Sequence, residues 1–355
     1  MTFEEARAQF PMLERYAYLN AGTNGPLARA TGEAVIEQTR RDLEHGRSGM
    51  AWFERVLELR EAARLGLAAV LDADPLHVAL TDSTSRGCSI VLSGLGLGAA
   101  DEVIITDQEH FGLTAPVHAA GVRVVVTEAD EDAIVAAVTP RTRLIATSHV
   151  LWTTGRRLDL RRVREDSGIP VLVDGAQSAG AIRVAAGEFD FYTVSAQKWL
   201  CGPEPTGALF VRDPEQLRVT APGYLAQTSY EPTGAFAPKE GAARFDSGWL
   251  ATPMLLGLQA ALATHPEWRY ERAAEQAARC RELLGAHVDV VTPAGHSTLV
   301  SFRPSGDPAE LVAALDDAGV IVRELPGRNL VRASCGWWTS DEDLQRLAAG
   351  IAAAA

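Results

Sequence analysis

Lysine is nearly absent from this sequence of 355 residues, in which arginine supplies all but two of the 33 basic side chains. The two lysines are Lys198 and Lys239. Arginine stays protonated and cannot form an imine, whereas a lysine desolvated among apolar neighbours can act as a nucleophile or Schiff base. Lys198 follows the strand-like run 191–194 and precedes Trp199 and Leu200, so it is a candidate for covalent chemistry. A surface lysine without a role is the alternative, because a single residue carries no motif.

Cysteine is also scarce, and its four positions lie far apart, at Cys88, Cys201, Cys280 and Cys335. No two of them have the spacing of a metal site or of a redox pair. The sequence therefore predicts no metal site and favours buried thiols in a reducing cytoplasm. One catalytic thiol is the alternative that the count leaves open.

Long apolar runs and a basic N-terminus are missing as well. No stretch approaches the length of a membrane-spanning helix, and residues 1–5 lack the positive charge of a secretory signal. The net charge of −13 argues against nucleic-acid binding. Together these absences predict a cytoplasmic protein that binds neither membranes nor nucleic acids.

Short β-branched runs alternate with helical stretches between about residues 80 and 212. Several of these runs are apolar on both faces, which is typical of a buried, largely parallel sheet covered by helices. The pattern predicts an α/β fold with ligands bound at the carboxyl ends of the strands. The predicted strands are 103–106, 122–126, 144–147, 171–174, 191–194 and 208–211.

The chain length and a hydrophobic content of 47% fit one large domain and one smaller domain. A long helical stretch begins near Thr252 and runs past Cys280, and a compact α+β unit follows it. We predict a large domain of residues 14–255 and a small C-terminal domain of residues 256–355 that includes the N-terminal segment 1–13. The first thirty or so residues are expected to pack against this second domain or against a partner subunit.

Asp174 closes one buried strand, and Lys198 follows the next strand along the chain. A carboxylate at the end of a buried strand is costly unless a positive group meets it. Because consecutive parallel strands are usually neighbours, both side chains are expected to open onto one crevice. An aldehyde cofactor on the lysine, with an acid that keeps a ring nitrogen protonated, needs this pair, as in pyridoxal phosphate chemistry. An aspartate that only caps the following turn is the simpler alternative.

A phosphate site is then expected near Ser83 and Thr84, which follow a strand-like run and open a helix. Hydroxyls and backbone N–H groups at a helix N-terminus bind anions well. Ordinary N-capping explains the same residues equally well when the segment is viewed alone. Ser195 and Gln197 are candidates for further donors on the opposite wall.

Two more residues point toward the same crevice. His110 follows the strand at 103–106, where an imidazole can stack on a flat ring and relay protons, although a structural histidine is common there. Arg332 interrupts an apolar strand, where it either extends its charge to the surface or clamps a carboxylate.

These residues together resemble the fold-type I pyridoxal-phosphate enzymes of the class V aminotransferase and cysteine desulfurase family. The most specific parts are 174–177, 195–198, 202–207 and 332–334, and the likeness extends over nearly the whole chain. The resemblance implies a large, mostly parallel, seven-stranded sheet domain, a small C-terminal α+β domain and the cofactor pyridoxal 5'-phosphate.

The resemblance also implies roles for the site residues. Lys198 forms the Schiff base and carries protons, Asp174 pairs with the pyridinium nitrogen, and His110 stacks on the ring. Gln177 faces the phenolic oxygen, and Arg332 grips the substrate carboxylate with Asn24 nearby. The phosphate is held by Ser83, Thr84, Ser195 and Gln197, and by Thr252 across the interface of a homodimer.

Two departures from the desulfurases affect the expected reaction. The loop 321–331 has no cysteine, and Cys335 lies beyond Arg332, so a persulfide-forming thiol is not expected. The run 148–155 has Trp152 near the place of a desulfurase asparagine, and it looks closest to the cysteine/cystine C–S lyase branch. We therefore predict a β-lyase that releases pyruvate, ammonia and a sulfur species from cystine, a cysteine S-conjugate or a cysteine sulfoxide. The alternatives are a hercynylcysteine sulfoxide lyase, an aminotransferase, a cysteine desulfurase, an amino-acid epimerase and a non-catalytic protein that binds the cofactor.

Overall fold

The computed structural model of the chain describes residues 1–354, which form eleven α-helices and fifteen β-strands. The helices α1–α11 are Phe3–Arg7, Arg29–His45, Gly49–Val70, Thr84–Gly94, Phe111–Ala119, Glu131–Ala136, Leu160–Ser167, Thr252–Ala263, Arg269–Gly285, Pro308–Asp317 and Asp341–Ala354. The strands β1–β15 are Ala17–Tyr18, Val78–Thr81, Glu102–Thr106, Arg123–Thr127, Thr142–Ser148, Val171–Asp174, Phe191–Ser195, Gly207–Val211, Gln227–Tyr230, Phe236–Pro238, Asp289–Val290, Leu299–Arg303, Val320–Ile321, Arg323–Leu325 and Leu330–Ser334.

The large sheet has seven strands in the order β2-β8-β7-β6-β5-β3-β4. Neighbouring strands from β7 through β4 pair in parallel, and only β8 runs against the others, since it is antiparallel to both β2 and β7. Strands β6, β7 and β8 are buried along their whole length, as expected for a sheet that has apolar cover on both faces. The predicted fold class is confirmed.

The directions of the strands bring several chain segments to one edge of the sheet. Strands β3, β5, β6 and β7 end there, and so does β2, because Thr81 and Ser195 are both register partners of Gly207. Each face of the sheet is covered by its own apolar cluster, one containing Leu67, Val173 and Tyr192 and the other containing Val91, Leu172 and Leu209. The edge where these strands end is therefore the place where polar side chains can collect.

The smaller sheet has four antiparallel strands in the order β11-β12-β15-β14. The N-terminal segment joins this part of the molecule, because β1 pairs in parallel with β13 and Asn20 bridges Ser334. Ala17 and Leu19 are buried in the core of the small domain. Contacts with the small domain thus extend to Asn20. The domain boundary predicted between residues 13 and 14 would instead assign residues 14–20 to the large domain. The boundary predicted at residue 255 falls within α8.

The long helix expected from Thr252 past Cys280 is interrupted. Helix α8 ends at Ala263 and α9 begins at Arg269, with Pro266 between them. Proline lacks a backbone N–H and disfavours helical conformation at the residue before it, which explains the break. Among residues 1–354, no helix is both long and apolar enough to cross a membrane.

Candidate active site

A cavity of about 190 Å³ lies at the edge of the large sheet where β3, β5, β6 and β7 end. It brings together eight of the residues predicted from the sequence, and further aromatic and polar side chains complete its wall. The predicted residues in the lining are Ser83, Thr84, His110, Asp174, Gln177, Ser195, Gln197 and Lys198. The additional lining residues are Ser85, Phe111, Gly112, Ser148, Val150, Trp152 and Ala176.

Lys198 lies in the wall of this cavity, three residues beyond the end of β7. Burial lowers the pKa of its amine to about 8, with Asp174 opposing this shift and Arg332 adding to it. With this pKa roughly a tenth of the amine is deprotonated at pH 7, a far larger fraction than for an exposed lysine. The environment therefore suits a lysine that reacts with an aldehyde and exchanges protons.

Asp174 ends β6 and is only 4% exposed. Its Oδ1 accepts a hydrogen bond from the backbone N–H of Ala176 at 2.8 Å, so the aspartate does cap the following turn. The turn passes so close to β7 that a Cβ at Gly175 would lie 2.3 Å from the carbonyl oxygen of Thr193. Only glycine fits there, and this close approach fixes the carboxylate at the cavity floor. No ion pair neutralises Asp174 within residues 1–354, and a cationic ligand group would supply one.

Helix α4 begins beside the same cavity. The Ser83 hydroxyl accepts from the Arg86 N–H at 3.2 Å and donates to Asp82 Oδ1 at 2.6 Å, so Ser83 acts as an ordinary N-cap in this structure. The Ser195 hydroxyl accepts from the Thr84 N–H at 3.2 Å. The Ser195 hydroxyl also donates to the Thr84 hydroxyl at 3.2 Å, so hydroxyls predicted on opposite walls meet at the N-terminus of α4. This arrangement fits a phosphate group, which would replace the weak contacts between them.

The two glutamines are held by the loop that precedes α2. Gln177 donates through Nε2 to the Gly22 carbonyl at 2.8 Å and accepts at Oε1 from the Trp199 indole at 3.0 Å. One Nε2 hydrogen of Gln177 remains for a ligand in the cavity. The Oε1 atom of Gln197 is buried and has no hydrogen-bond partner. The site therefore retains polar capacity that the chain alone does not satisfy.

His110 is the N-cap of α5 and stands in the cavity lining. Its Nδ1 accepts from the Gly112 N–H at 3.1 Å, which places the proton of the neutral ring on Nε2. Burial lowers the pKa of His110, and Lys198 and Arg332 lower it further. The neutral ring meets Trp152 edge to face, with 5.2 Å between the ring centroids. A flat, neutral imidazole in this position can stack on an aromatic ligand.

Arg332 approaches the site from β15 of the small domain. It is 2% exposed, and its Nη1 donates to the Trp152 carbonyl at 2.8 Å while Nε has no partner. Burial lowers the pKa of Arg332 to about 10, and the charge of Arg323 adds to this effect. A buried guanidinium with unused donors and no carboxylate partner within residues 1–354 is suited to an anionic ligand.

Three predicted residues do not line the cavity: Arg332, which contacts its wall through Trp152, and Asn24 and Thr252. Asn24 is exposed, and its amide donates to Glu204 at 2.9 Å. The Thr252 hydroxyl donates to Asp42 on α2 at 3.2 Å. The role predicted for Thr252 involves the phosphate of a partner subunit, so it remains a prediction. The substrate contact predicted for Asn24 also remains a prediction.

Arg323 was missed by the sequence reasoning. It lies directly opposite Arg332 in the antiparallel pairing of β14 with β15. The sequence does contain this second arginine nine residues before Arg332. Its position opposite Arg332 depends on the register of the two strands, and that register cannot be read from the sequence when the turn between them is irregular. Trp152 was noted only as a departure from the desulfurases, although its ring lines the cavity and its carbonyl holds Arg332.

All four cysteines are buried and none forms a disulfide. Burial raises the pKa of the Cys88 and Cys201 thiols, and the contact with Cys280 together with burial raises that of Cys335. Thiolates are the reactive form of cysteine, so the raised pKa of these three thiols disfavours their reaction. The absence of a metal-ligand or redox spacing in the sequence agrees with this picture of inert, packed side chains.

The chain belongs to the aminotransferase class-V family, whose model matches residues 23–347. It is 30% identical to isopenicillin N epimerase of Streptomyces clavuligerus, covering 98% of this chain and 96% of that protein. It is 28% identical to a cysteine desulfurase of Klebsiella pneumoniae, covering 99% and 98% of the two chains. The solved complex of the cystine C–S lyase C-DES with cysteine persulfide has a TM-score of 0.91 and 29% identity, and covers 97% of this chain and 99% of that chain.

These relatives define an enzyme of the pyridoxal 5'-phosphate-dependent class. A second C-DES structure, with a TM-score of 0.92, contains glycine covalently linked to this cofactor. The family and the cofactor predicted from the sequence are therefore confirmed. The cavity fits the cofactor, because it combines a buried amine, a buried carboxylate, a helix N-terminus and unpaired polar atoms.

Proposed function

We propose that the enzyme is a carbon–sulfur β-lyase that acts on a cysteine-derived amino acid such as cystine, a cysteine S-conjugate or a cysteine sulfoxide. The products are pyruvate, ammonia and a sulfur species. The observation that carries this proposal is that the cavity lined by Lys198 and Asp174, with Arg332 held against Trp152 in its wall, has no cysteine in its lining, and all four cysteines are buried. A desulfurase needs an accessible thiol to accept sulfur, whereas a β-elimination does not. The similarity to C-DES over nearly the whole chain supports the same choice.

Lys198 is the proposed base. Its amine would hold the cofactor, and its lowered pKa of about 8 lets the amine, when free, accept a proton near neutral pH. It removes the proton from Cα of the substrate, and the electron pair of the Cβ–S bond leaves with sulfur. Water converts the remaining fragment into pyruvate and ammonia. The cofactor supplies the conjugated, protonated ring into which negative charge from Cα spreads.

Asp174 and His110 are proposed to hold that ring. The Asp174 carboxylate lies at the cavity floor, where it favours a protonated ring nitrogen. His110 remains neutral because of its lowered pKa, so its ring can stack without adding positive charge. Ser83, Thr84, Ser195 and Gln197 are proposed to hold the phosphate at the N-terminus of α4.

The two arginines of the small domain are proposed to orient the substrate. Arg332 has free donors and lies against the Trp152 carbonyl, so its position is fixed before a carboxylate arrives. Arg323 adds a second positive charge on the adjacent strand. A fixed carboxylate places Cα near Lys198, and orientation of this kind accounts for a large part of enzymatic rate enhancement.

An amino-acid epimerase is the second candidate function. It is favoured by the isopenicillin N epimerases of Streptomyces clavuligerus and Amycolatopsis lactamdurans, which are 30% and 31% identical to this chain over 98% of its length. Both reactions begin with removal of the Cα proton. They differ in whether a leaving group on Cβ departs or the proton returns to the opposite face.

The deciding experiment is an assay of the purified, cofactor-loaded enzyme with cystine, a panel of cysteine S-conjugates and a cysteine sulfoxide. Pyruvate formed without any keto acid supports the lyase, and the Lys198→Ala variant should form none. A requirement for 2-oxoglutarate would show transamination. Loss of optical rotation without pyruvate would show epimerisation, and bound cofactor without any turnover would favour a binding protein.

A further inference from the structure

Glu109 is a buried carboxylate to which the proposed reaction assigns no role. It is 8% exposed and lies between the ends of β3 and β5, immediately before His110. Within residues 1–354 it makes no ion pair. A buried carboxylate without a cation is costly, and such groups cluster at functional sites.

Four hydrogen bonds converge on this carboxylate. Oε1 accepts from the hydroxyls of Thr106 at 2.6 Å and Thr147 at 2.7 Å. Oε2 accepts from the N–H of Ser148 at 2.9 Å and from its hydroxyl at 2.5 Å. Two donors on each oxygen match what an ionised carboxylate accepts, and hydrogen bonds to the charged form favour that form.

The donors connect Glu109 to the floor of the cofactor cavity. Ser148 lines the cavity and is the register partner of Asp174 in the pairing of β5 with β6. The titratable groups that face Glu109 are Asp174 from β6 and Cys88 from α4. Burial, with a smaller contribution from the neighbouring Asp174, raises the pKa of Glu109 above its usual value, and the hydroxyl donors offset this shift only in part. Two carboxylates thus lie at the ends of nearby strands, and within residues 1–354 no arginine or lysine forms an ion pair with either.

We propose that Glu109 is a positioning residue that carries a second fixed negative charge next to the cofactor cavity. It joins the ends of β3 and β5 by hydrogen bonds. His110, Ser148 and Asp174 are thereby held at the edge of the large sheet where the cavity lies. Its charge adds to that of Asp174 and favours positive charge on the cofactor ring and on the nitrogen that links the cofactor to Lys198. This inference rests on the proposed role of Lys198.

The test is a pH titration of the visible absorbance of the cofactor-loaded protein, which reports protonation of the linking nitrogen without any turnover. Glu109→Gln keeps the side-chain size and removes the charge. Its Oε1 can accept from Ser148 while its amide faces the two threonines. Loss of one negative charge within this low-dielectric edge should lower the midpoint by about 0.5 to 1 pH unit.

Two controls separate charge from structure. Thr106→Val removes one donor and keeps the charge, so its midpoint should stay within about 0.2 unit of the wild type. Glu102→Gln removes a buried charge from the opposite end of the same strand, where Glu102 pairs with Arg141, and should leave the midpoint unchanged. A Glu109→Gln protein that binds cofactor with an unshifted midpoint would overturn the proposal and leave Glu109 a structural crosslink.

A second measurement covers the case in which Glu109→Gln does not fold. Infrared titration of the wild-type protein, with the band assigned by the variant Glu109→Asp, should show an ionised carboxylate at neutral pH. A protonated acid at neutral pH would overturn the proposal. A wild-type protein that never gains the visible absorbance contradicts the role of Lys198 instead, so the two failures are distinguishable.

Discussion

Arg323 and Arg332 face each other directly across two antiparallel strands, and neither is paired with a carboxylate within residues 1–354. Like charges opposite each other in a sheet are destabilising, by up to roughly 1 kcal/mol. Arg332 of this pair contacts Trp152 in the cavity wall, so the unfavourable pairing is the pattern expected where residues are arranged to bind an anionic ligand rather than for stability.

We predict that Arg323→Gln makes the protein slightly more stable and a poorer catalyst. Removal of one like charge should raise the free energy of unfolding by about 0.5 kcal/mol. Loss of a carboxylate-directed charge should raise KM about tenfold, with a smaller change in kcat, because a factor of ten corresponds to about 1.4 kcal/mol of binding. Denaturant unfolding and steady-state kinetics measure the two effects.

The matched control for this variant is Arg303→Gln, since Arg303 lies on the neighbouring strand β12, is exposed and pairs with Asp289. It should change neither KM nor kcat. An unchanged KM in Arg323→Gln would place Arg323 outside the substrate site.

The capture of the cofactor aldehyde by the cofactor-free protein should depend on pH through Lys198. Only the deprotonated amine attacks an aldehyde, so the rate should rise with pH and level off above about 8, the pKa to which burial lowers this amine. Stopped-flow absorbance at several pH values gives the midpoint. Lys239→Gln should behave as the wild type and Lys198→Gln should not form the linkage. A midpoint near 10.5, the ordinary value for lysine, would mean that the amine is not desolvated.

The sequence allowed the centre of this enzyme to be predicted well, because its main features depend on local patterns. Strands apolar on both faces identified the parallel sheet, and Asp174 and Lys198 follow consecutive strands that pair directly. Parallel neighbours end at the same edge, so their convergence followed from topology.

The parts that could not be predicted depend on contacts between distant residues. The pairing of β1 with β13 joins segments some 300 residues apart, and the opposition of Arg323 and Arg332 requires the register of β14 and β15. Neither has a local signal. The break between α8 and α9 is different, because Pro266 is a local signal in the sequence that outweighs the helical composition on either side of it.

No cysteine should be needed for pyruvate formation. We predict that Cys335→Ala and Cys201→Ala retain the lyase activity within about a factor of two while losing roughly 1 kcal/mol of stability, as small truncations in a packed core do. In the native protein a thiol reagent should label none of the four buried cysteines rapidly, and all four should react after denaturation. Rapid labelling of one thiol together with loss of activity would favour a desulfurase mechanism.

The homodimer remains a prediction, and exposed apolar side chains give it a location. On α2, Leu43 is 81% exposed and Ile36 is 64% exposed. Trp249 is 54% exposed and stacks on Trp52 and Tyr224. Leu43 adjoins Asp42, which contacts Thr252.

Light scattering should give twice the chain mass of 38.0 kDa. Leu43→Glu should shift the protein toward the monomer. Leu76→Glu, which changes another exposed leucine, should leave the dimer intact. A monomeric wild type would contradict the predicted role of Thr252.

Gly22 should be essential for substrate binding although it carries no side chain. A Cβ at this position would lie 2.6 Å from Nη2 of Arg332 and 3.0 Å from the Ser334 hydroxyl. Gly22→Ala must therefore displace the guanidinium, and we expect KM to rise at least tenfold while the visible absorbance of the bound cofactor persists.

Gly32→Ala is the matched control, because its nearest neighbour would be a Leu27 methyl group at 4.0 Å. That substitution lies within α2 and should be neutral or stabilising. Equal KM values in the two variants would show that the position of Arg332 does not determine how the substrate binds.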